Sequence, residues 1–323
     1  MKKTLATTKL GLITISISLV SGLTAAAIPS ELKLDYAYYA PTSLVVKEQK
    51  LLEKALPKTK IKWVFSQGSN RSLEYLNSGS TDFASTAGLA AVLSRANGSP
   101  IKTVYVQSQP EWTALVVNKD SNIKSLKDLK GKKIAATKGT DPFLFTLQAL
   151  DTVGLGKRDV ELVHLQHPDG KIALERNQVD AWAGLDPLMA SAQVQSGAKL
   201  LYRNVGFNSY SVLSIKENFA KQSPEAVDAV IKVYEQARKW AKANPDKLAE
   251  LLAREAKLPI EVAKLQLSRT NLNQNIPTAK HIAALQKAGS ILTEEDLVRK
   301  GTNVNQVVTQ LFDSKYAQKV VKK

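Results

Sequence analysis

The sequence predicts an α/β fold of two lobes, each a mostly parallel sheet flanked by helices, with a helical layer at the C-terminal end. Three observations support this fold class. Short apolar segments alternate with amphipathic ones, a weak internal repeat indicates two similar halves, and the composition changes to helix formers after Ser223. At 323 residues the chain is long enough to bury a large core and to form two domains.

Strands and helices alternate through the first part of the chain. Leu32 to Tyr39 has the alternation of a half-buried strand, Val45 to Leu56 that of an amphipathic helix, and Ile61 to Phe65 that of the next strand. Residues 66–70 form a loop before a helix from Arg71 to Leu76. This order is typical of strand–helix units that build a mostly parallel sheet.

Two segments share a short pattern. Leu76 to Phe83 aligns with Leu174 to Ala181, and in each copy a residue that tolerates the left-handed conformation, Gly79 or Asn177, follows the end of a helix. An Asp comes three residues later in both copies and opens a strand of small residues. The repeat therefore predicts two lobes of similar topology.

The loops after these two strands are candidates for ligand contact. Residues 85–88 follow the first copy and residues 183–187 follow the second. In open α/β sheets, ligands bind outside the carboxyl ends of the strands. Two lobes that face each other with those ends would enclose a ligand. We expect the chain to cross between the lobes twice, at 112–117 and 208–213, and these two crossings would form a hinge.

Residues 131–143 form a third candidate for ligand contact, at a strand-to-helix turn, which we call a corner. The segment begins as a short buried strand, Gly139 allows close approach of the backbone, and Asp141 and Pro142 suit the N-cap and the first helical position. A helix that begins there directs free N–H groups and the positive end of its dipole above the sheet, which favours an anion. Thr140 could add a hydroxyl donor. The alternative is an ordinary strand-to-helix turn, in which the carboxylate of Asp141 would repel an anion.

The net charge of the chain is +16, and its lysines are scattered over the whole length. Such a charge suits nucleic acid, an anionic membrane surface, anionic ligands or simply a Lys-rich solvated surface. The chain has no basic stripe interleaved with aromatic residues of the kind that binds single strands. We therefore expect no nucleic-acid partner.

Residues 1–27 have the pattern of a cleaved signal peptide. A basic start precedes an apolar segment from Leu10 to Val20, which is too short to span a bilayer, and small residues follow at 25–27. The chain contains no Cys, so the sequence predicts neither a lipid anchor on an N-terminal Cys nor a disulfide nor a thiol nucleophile. We expect export to the periplasm without a lipid anchor.

The predicted domains follow from the crossings. The signal peptide covers 1–27, lobe 1 consists of 28–111 and 210–323 with the C-terminal helices, and lobe 2 consists of 112–209. The helical tail after Ser223 is expected to cover lobe 1 and to contain no residue that acts in the site.

The motifs of common enzymes and metal sites are absent. His164 and His167 are three residues apart, but one lies in a predicted strand and the other in a loop, and no third metal ligand is near in sequence. We expect His167 to be a loop residue in or beside the cleft. Residues 153–156 lack the third glycine of a dinucleotide fingerprint, and no P-loop, nucleophile elbow or triad spacing occurs. The sequence therefore predicts no cofactor, no metal and no enzyme activity.

Several aromatic and acidic residues have two interpretations. Trp182 belongs either to the core or to the cleft, and Asp186 either serves the turn before Pro187 or approaches a ligand or closes the lobes. Trp112, at the first crossing, carries the same ambiguity. Tyr38, just after the first strand, is a candidate wall of the cleft.

Five motifs occur in the order of a known family. They are Gln67-Gly68, residues 76–83, residues 125–135, Lys138-Gly139-Thr140, and residues 179–187. Together they resemble the periplasmic solute-binding proteins of ABC importers for aliphatic sulfonates, taurine and nitrate, over about Leu32 to Phe219. The resemblance implies a type II periplasmic-binding-protein fold, in which main-chain N–H groups and hydroxyls at facing helix N-termini hold an oxyanion.

The resemblance also implies a set of pocket residues and a set of partners. We expect a monomer without cofactor that binds an anionic small molecule and presents it to a membrane permease, with only peripheral contact with the membrane complex. The chain departs from the family pattern after Thr86 and at Asp141-Pro142. An aliphatic sulfonate or sulfate ester is the expected ligand, and nitrate, taurine or another small oxyanion is the alternative. A thiamine-precursor-type binder or enzyme is a more distant alternative, since the related enzymes depend on a Cys-rich motif and this chain has no Cys. The expected ligand-binding residues are Tyr38, Gln67, Gly68, Thr86, Ala87, Gly88, Trp112, Gly139, Thr140, Trp182 and Asp186.

Overall fold

The strands of the protein form two separate sheets. The structure, a computed structural model, describes residues 28–321, so the predicted signal peptide lies outside the described residues. The strands are β1 Glu31–Tyr36, β2 Lys60–Phe65, β3 Phe83–Ala87, β4 Ile101–Pro110, β5 Leu115–Val117, β6 Lys133–Ala135, β7 Glu161–Val163, β8 Ala181–Ala183, β9 Lys199–Tyr202, β10 Ser211–Lys216 and β11 Thr270–Asn271.

The two sheets have matching topologies. The first has the order β11-β4-β10-β3-β1-β2 and the second the order β7-β6-β8-β5-β9. In the first sheet β1 is parallel to β2 and β3, and in the second β6 is parallel to β7 and β8. In each sheet one antiparallel strand is inserted between parallel ones, β10 in the first and β5 in the second, and β11 adds a further antiparallel strand at the edge of the first sheet. We call the first sheet with its helices lobe 1 and the second lobe 2, and the predicted two-lobed α/β fold is confirmed.

Helices cover both sheets. Within the described residues, none of them combines the length and the apolar character that a membrane span requires. Short 3-10 helices occupy Leu126–Leu129 and Val205–Phe207. The α-helices are α1 Pro41–Glu48, α2 Leu51–Ala55, α3 Ser69–Ser78, α4 Gly88–Ala96, α5 Asp141–Asp151, α6 His167–Glu175, α7 Leu188–Ser196, α8 Glu217–Gln222, α9 Pro224–Ala243, α10 Pro245–Ala256, α11 Ile260–Ser268, α12 Ala279–Ala288, α13 Ile291–Glu294, α14 Val304–Leu311 and α15 Lys315–Val321.

The internal repeat is confirmed at the level of hydrogen bonds. The backbone N–H of Lys33 donates to Asp82 Oδ2 at 2.8 Å, and in lobe 2 the backbone N–H of Lys133 donates to Asp180 Oδ2 at the same distance. Each Asp thus holds the first half of the adjacent parallel strand. Asn177 adopts the left-handed conformation with φ 54°, as Gly79 does with φ 79°. The two lobes therefore share one strand–helix design.

The two chain crossings are bonded to each other. The side chain of Asn208 accepts a hydrogen bond from the Thr113 N–H at 2.9 Å and donates to the Thr113 carbonyl at 3.3 Å. The chain passes from β4 to β5 at the first crossing and from β9 to β10 at the second. Each crossing delivers the antiparallel strand of the sheet that it enters, so these two segments form the connection between the lobes.

Two predictions of the element order need correction. The helix predicted from Val45 to Leu56 is interrupted, because Lys50 adopts the left-handed conformation with φ 51° between α1 and α2. The C-terminal tail was expected to cover lobe 1 only. Its helices α9 and α10 do pack on lobe 1, but α11 contacts α7 and α13 contacts α5, so the tail also reaches lobe 2.

Candidate functional site

A cavity of about 180 Å³ lies between the lobes, at the carboxyl ends of both sheets. Its walls are mostly aromatic and aliphatic, with a few polar groups. Binding sites for small molecules commonly have this composition. Lobe 1 contributes Tyr38, Tyr39, Phe65, Ser66, Gln67, Ala256 and Leu258, and lobe 2 contributes Pro168, Leu185, Asp186, Pro187 and Leu188.

The predicted wall residue Tyr38 lines this cavity. Its ring packs on Phe65, with 4.6 Å between the ring centroids, and its hydroxyl donates to the Glu255 carbonyl at 2.8 Å. The hydrogen bond joins the end of the first strand to the tail helix α10 and fixes the ring in place. Gln67, also predicted, lies beside it on the cavity wall with an exposed side chain.

The N-termini of α3 and α6 meet across the cleft. Gly68 is the N-cap of α3 in lobe 1, and His167 is the first residue of α6 in lobe 2. A Cβ atom on Gly68 would lie 2.9 Å from both Cδ2 and Nε2 of His167. Only a glycine therefore allows this approach of the lobes. No side chain of the described residues caps either helix, which leaves first-turn N–H groups available to a ligand.

The predicted corner at Gly139 also approaches lobe 1. Gly139 has φ 78°, and a Cβ atom on it would lie 3.8 Å from Cβ of Asn70 in α3. It lies in a groove that also contains Lys138 and Phe143, and it is not on the wall of the cavity. The tight turn thus positions the lobe 2 loop against α3.

Thr140 does not have the role predicted from the sequence. It is the N-cap of α5, and its buried hydroxyl donates to the Thr137 carbonyl at 2.6 Å. A hydroxyl carries one hydrogen, so Thr140 cannot at the same time donate to an anion. The side chain stabilises the turn instead.

Asp141 also differs from the prediction, since it occupies the first turn of α5 and not the N-cap. Its Oδ2 accepts hydrogen bonds from Trp112 Nε1 at 3.2 Å, from the Ser209 N–H at 2.9 Å and from the Ser209 hydroxyl at 2.7 Å. Burial raises the pKa of Asp141 to about 6, against these hydrogen bonds. The carboxylate ties lobe 2 to both crossings, and Trp112 is a buried part of this contact.

The corner at Thr86, Ala87 and Gly88 is closed by the protein itself. The Gly88 N–H donates to the Tyr210 carbonyl at 2.8 Å, and the Leu89 N–H contacts the Ser209 hydroxyl at 3.2 Å. Thr86 and Ala87 are buried, and neither lines the cavity. The structure therefore does not support an anion site at the start of α4, because the second crossing already uses the first N–H groups of this helix.

Trp182 belongs to the core of lobe 2. Its side chain is 1% exposed, and it packs under α6, where a Cβ atom on Gly170 would lie 2.7 Å from Trp182 Nε1. The cleft interpretation of Trp182 does not hold in this structure. β8 directs this side chain toward the helices, and the cavity lies beyond the end of the strand.

Asp186 closes the lobes through a residue that sequence reasoning missed. Arg269, at the end of α11, places its Nε 3.3 Å from Asp186 Oδ2, and its Nη1 donates to Gln193 Oε1 at 2.9 Å. Asp186 also accepts from the Ala190 N–H at 2.9 Å. Burial raises the pKa of Asp186 to about 7, although Arg269 opposes the shift. The tail was expected to contain no functional residue, and no local motif marks Arg269.

A larger depression, of about 650 Å³, lies on lobe 2 alone around 118–123 and Asp180. It lies where the parallel strands β6 and β8 begin, since Lys132 and Asp180 precede them, and it draws no residue from lobe 1. Asp180 is already bonded to Lys133. The cavity between the lobes is therefore the candidate site.

Two α/β lobes joined by two crossings, with a cavity at the facing carboxyl ends of their sheets, define the class of two-lobed binding proteins with the periplasmic-binding-protein fold. A family model described as NMT1/THI5 like matches residues 60–248. The chain belongs to this family.

Relatives and solved structures agree with this assignment. The chain is 30% identical over 277 residues to a Bacillus subtilis (strain 168) protein, covering 84% of this chain and 83% of the relative. It is 28% identical over 285 residues to an Escherichia coli (strain K12) protein, covering 87% and 89%. Both names mark candidate aliphatic sulfonates-binding proteins. The alkanesulfonate-binding protein SsuA from Xanthomonas axonopodis pv. citri, solved with bound MOPS, matches with a TM-score of 0.82 and 26% identity over 89% of this chain and 99% of its own.

Proposed function

We propose that this protein is the periplasmic solute-binding component of an ABC importer. It binds an aliphatic sulfonate or sulfate ester between its lobes and delivers it to the membrane permease. The observation that carries the proposal is the meeting of the uncapped N-termini of α3 and α6, one from each lobe, beside a cavity with apolar walls.

The helix ends suit the anionic part of such a ligand. A sulfonate presents oxygen atoms that only accept hydrogen bonds, and the first-turn N–H groups of a helix are donors at the positive end of its dipole. Ser69 and Asn70 in α3 and His167 and Asp169 in α6 carry such N–H groups, whereas Pro168 has none. Neutral main-chain donors from both lobes would replace the water around the anion, so the anion itself favours closure.

The cavity suits a small organic part. Apolar cavities of roughly 150 Å³ accept a molecule of the size of benzene. A cavity of about 180 Å³ therefore holds a short alkyl chain or one small ring. The wall formed by Tyr38, Phe65 and Leu188 would contact this part. Nitrate has no organic part and would leave the cavity empty.

The carboxylates near the site are held by protein groups, which favours binding without chemical change. Asp186 is paired with Arg269, and Asp141 is held by Trp112 and Ser209. Asp186 lines the cavity but is bound to Arg269, and Asp141 is not part of the cavity wall. We propose that the ligand leaves the site unaltered.

A thermal-shift panel tests the proposal. It contains alkanesulfonates of increasing chain length, taurine, an alkyl sulfate ester, nitrate and a pyrimidine precursor of thiamine. A ligand present at 100 times its Kd stabilises the folded state by about 2.7 kcal/mol, which raises the melting temperature. We expect the largest rise with a sulfonate or sulfate ester and recovery of that compound unchanged by mass spectrometry. A rise with nitrate or the pyrimidine alone, or conversion of the bound compound, would overturn the proposal.

A further inference from the structure

His167 carries a buried nitrogen atom without a partner at the closing point of the lobes. Its side chain is fully buried, and Nε2 makes no hydrogen bond with any described residue. The same atom faces Gly68, whose added Cβ would lie 2.9 Å away. Ser66, Gln67 and Pro168, the neighbours of Gly68 and His167 in the chain, line the cavity.

The hydrogen bonds of Thr137 determine which ring nitrogen of His167 carries the hydrogen. The Thr137 hydroxyl lies 2.7 Å from the Leu165 carbonyl, which can only accept, so the single hydrogen of Thr137 points there. Thr137 Oγ1 also lies 3.1 Å from His167 Nδ1. In this contact Thr137 must accept, and the hydrogen of the neutral ring is therefore on Nδ1. Nε2 presents a lone pair.

Two features keep the ring neutral. Burial lowers the pKa of His167 to about 3. The ring also lies at the positive ends of the dipoles of α3 and α6, which disfavour a second positive charge. Nε2 is thus a buried acceptor at the contact with Gly68, next to residues that line the cavity.

A second unpartnered acceptor lies close to the first. Asn70 Oδ1 is buried without a hydrogen bond and lies 3.1 Å from the Cβ position of Gly68. His167 and Asn70 come from different lobes and converge on one point. A sulfonate oxygen has no hydrogen to offer to either atom, and a buried acceptor that stays unpaired costs about 1 to 3 kcal/mol.

We infer that His167 is a specificity-determining residue whose Nε2 accepts a hydrogen bond from an N–H or O–H group of the ligand. The preferred ligand is then an organosulfonate that carries a donor group, such as an amino- or hydroxyalkanesulfonate. This inference rests on the proposed function. In this arrangement main-chain N–H groups hold the anion, and His167 Nε2 selects the organic part of the ligand.

Calorimetric titration of the full mature chain with three compounds of nearly equal size tests the inference. They are ethanesulfonate, 2-hydroxyethanesulfonate and 2-aminoethanesulfonate. We expect the wild type to bind at least one donor-bearing compound about tenfold or more tighter than ethanesulfonate. His167→Phe, confirmed as folded by its thermal transition, should lose this preference. His167→Gln, which keeps an acceptor, should retain part of it, and His164→Gln, three residues earlier and exposed, should retain all of it.

Other results of these titrations would overturn the inference alone or together with the proposed function. Equal affinity of the wild type for all three compounds would overturn the inference and leave the proposed function intact. Uptake of about one proton when ethanesulfonate binds, measured in buffers of different ionisation enthalpy, would also overturn it, since Nε2 would then be a donor. If none of these compounds nor any other organosulfonate binds, the proposed function fails and the inference fails with it.

Discussion

Arg269 and Asp186 form a buried ion pair that joins the two lobes, with 3.3 Å between Arg269 Nε and Asp186 Oδ2. The side chains are 8% and 1% exposed, so water screens the pair little. Arg269 follows α11 on lobe 1, whereas Asp186 follows β8 on lobe 2 and also lines the cavity. The pair therefore connects closure of the lobes with the site itself.

We expect Arg269→Met to destabilise the closed form, because Asp186 would stay buried without its partner. Breaking one side of a buried pair costs about 3 to 5 kcal/mol. Urea unfolding should show a loss of this order, and small-angle scattering should show a larger radius of gyration. The control is Arg203→Met at the second crossing, since Arg203 is 54% exposed and its pair with Glu111 should contribute less than about 1 kcal/mol. Equal losses in the two variants would contradict the role of Arg269.

Gly68→Ala should reduce ligand binding while the fold is retained. The backbone at Gly68 is extended, with φ −176°, so alanine adopts it without strain. The added Cβ would lie 2.9 Å from the His167 ring, which prevents full closure. We expect a loss of affinity of about tenfold or more with a change in unfolding free energy below about 1 kcal/mol, since the lobes can separate slightly.

The double variant Gly68→Ala/His167→Ala provides the matching control, because removal of the ring gives the new methyl group room. Scattering in the presence of ligand should then show the compact form again. Full wild-type affinity of the single Gly68→Ala variant would contradict the contact.

His167 should make the stability of the protein depend on pH. Its pKa is lowered from the ordinary 6.5 to about 3 by burial, so below pH 6.5 the unfolded chain takes up a proton that the folded chain does not. The contribution of the neutral His167 to the free energy of unfolding is thus fully present above pH 6.5 and is lost as the pH falls toward 3. Between pH 6.5 and 4.5 this loss amounts to roughly 2 to 3 kcal/mol. Urea unfolding of the wild type should show this additional loss relative to His167→Gln, whereas His164→Gln should behave as the wild type. Parallel pH profiles of stability for the wild type and His167→Gln would refute the assignment of this pH dependence to His167.

Thr140→Ala should lower stability and leave ligand affinity within about twofold. The hydroxyl donates to the Thr137 carbonyl inside a buried turn, and loss of one such bond costs about 1 kcal/mol. Thermal unfolding measures the first effect and calorimetric titration the second. Thr140→Ser keeps the hydroxyl and should recover most of the stability. A large loss of affinity at unchanged stability would restore the original expectation that Thr140 binds the anion.

Part of the site and of the contact between the lobes could be predicted because the signals are local. Gly68 before a helix, Gly139 in a tight turn and Tyr38 after the first strand lie at the ends of elements whose periodicity the sequence shows. The structure places all three at the faces of the lobes that meet. Asp82 and Asp180 were recognisable for the same reason, since each acts within one strand–helix unit.

Other features of the site could not be predicted, because they depend on contacts between segments that lie far apart in the chain. Thr86 to Gly88 has the local form of an open helix start, yet Ser209 and Tyr210 from the second crossing occupy its N–H groups. Arg269 lies 83 residues after its partner Asp186 and has no motif around it.

The residue pattern predicts the two-lobed α/β fold and the strand-to-helix turns where helices begin, because periodicity, caps and turns depend on neighbours in the chain. Which of these turns keeps free donors, the core position of Trp182 and the unpaired Nε2 of His167 all depend on contacts between distant segments. Such contacts cannot be read from neighbours, because a hydrogen-bonding group is available to a ligand only when no other part of the folded chain has already satisfied it.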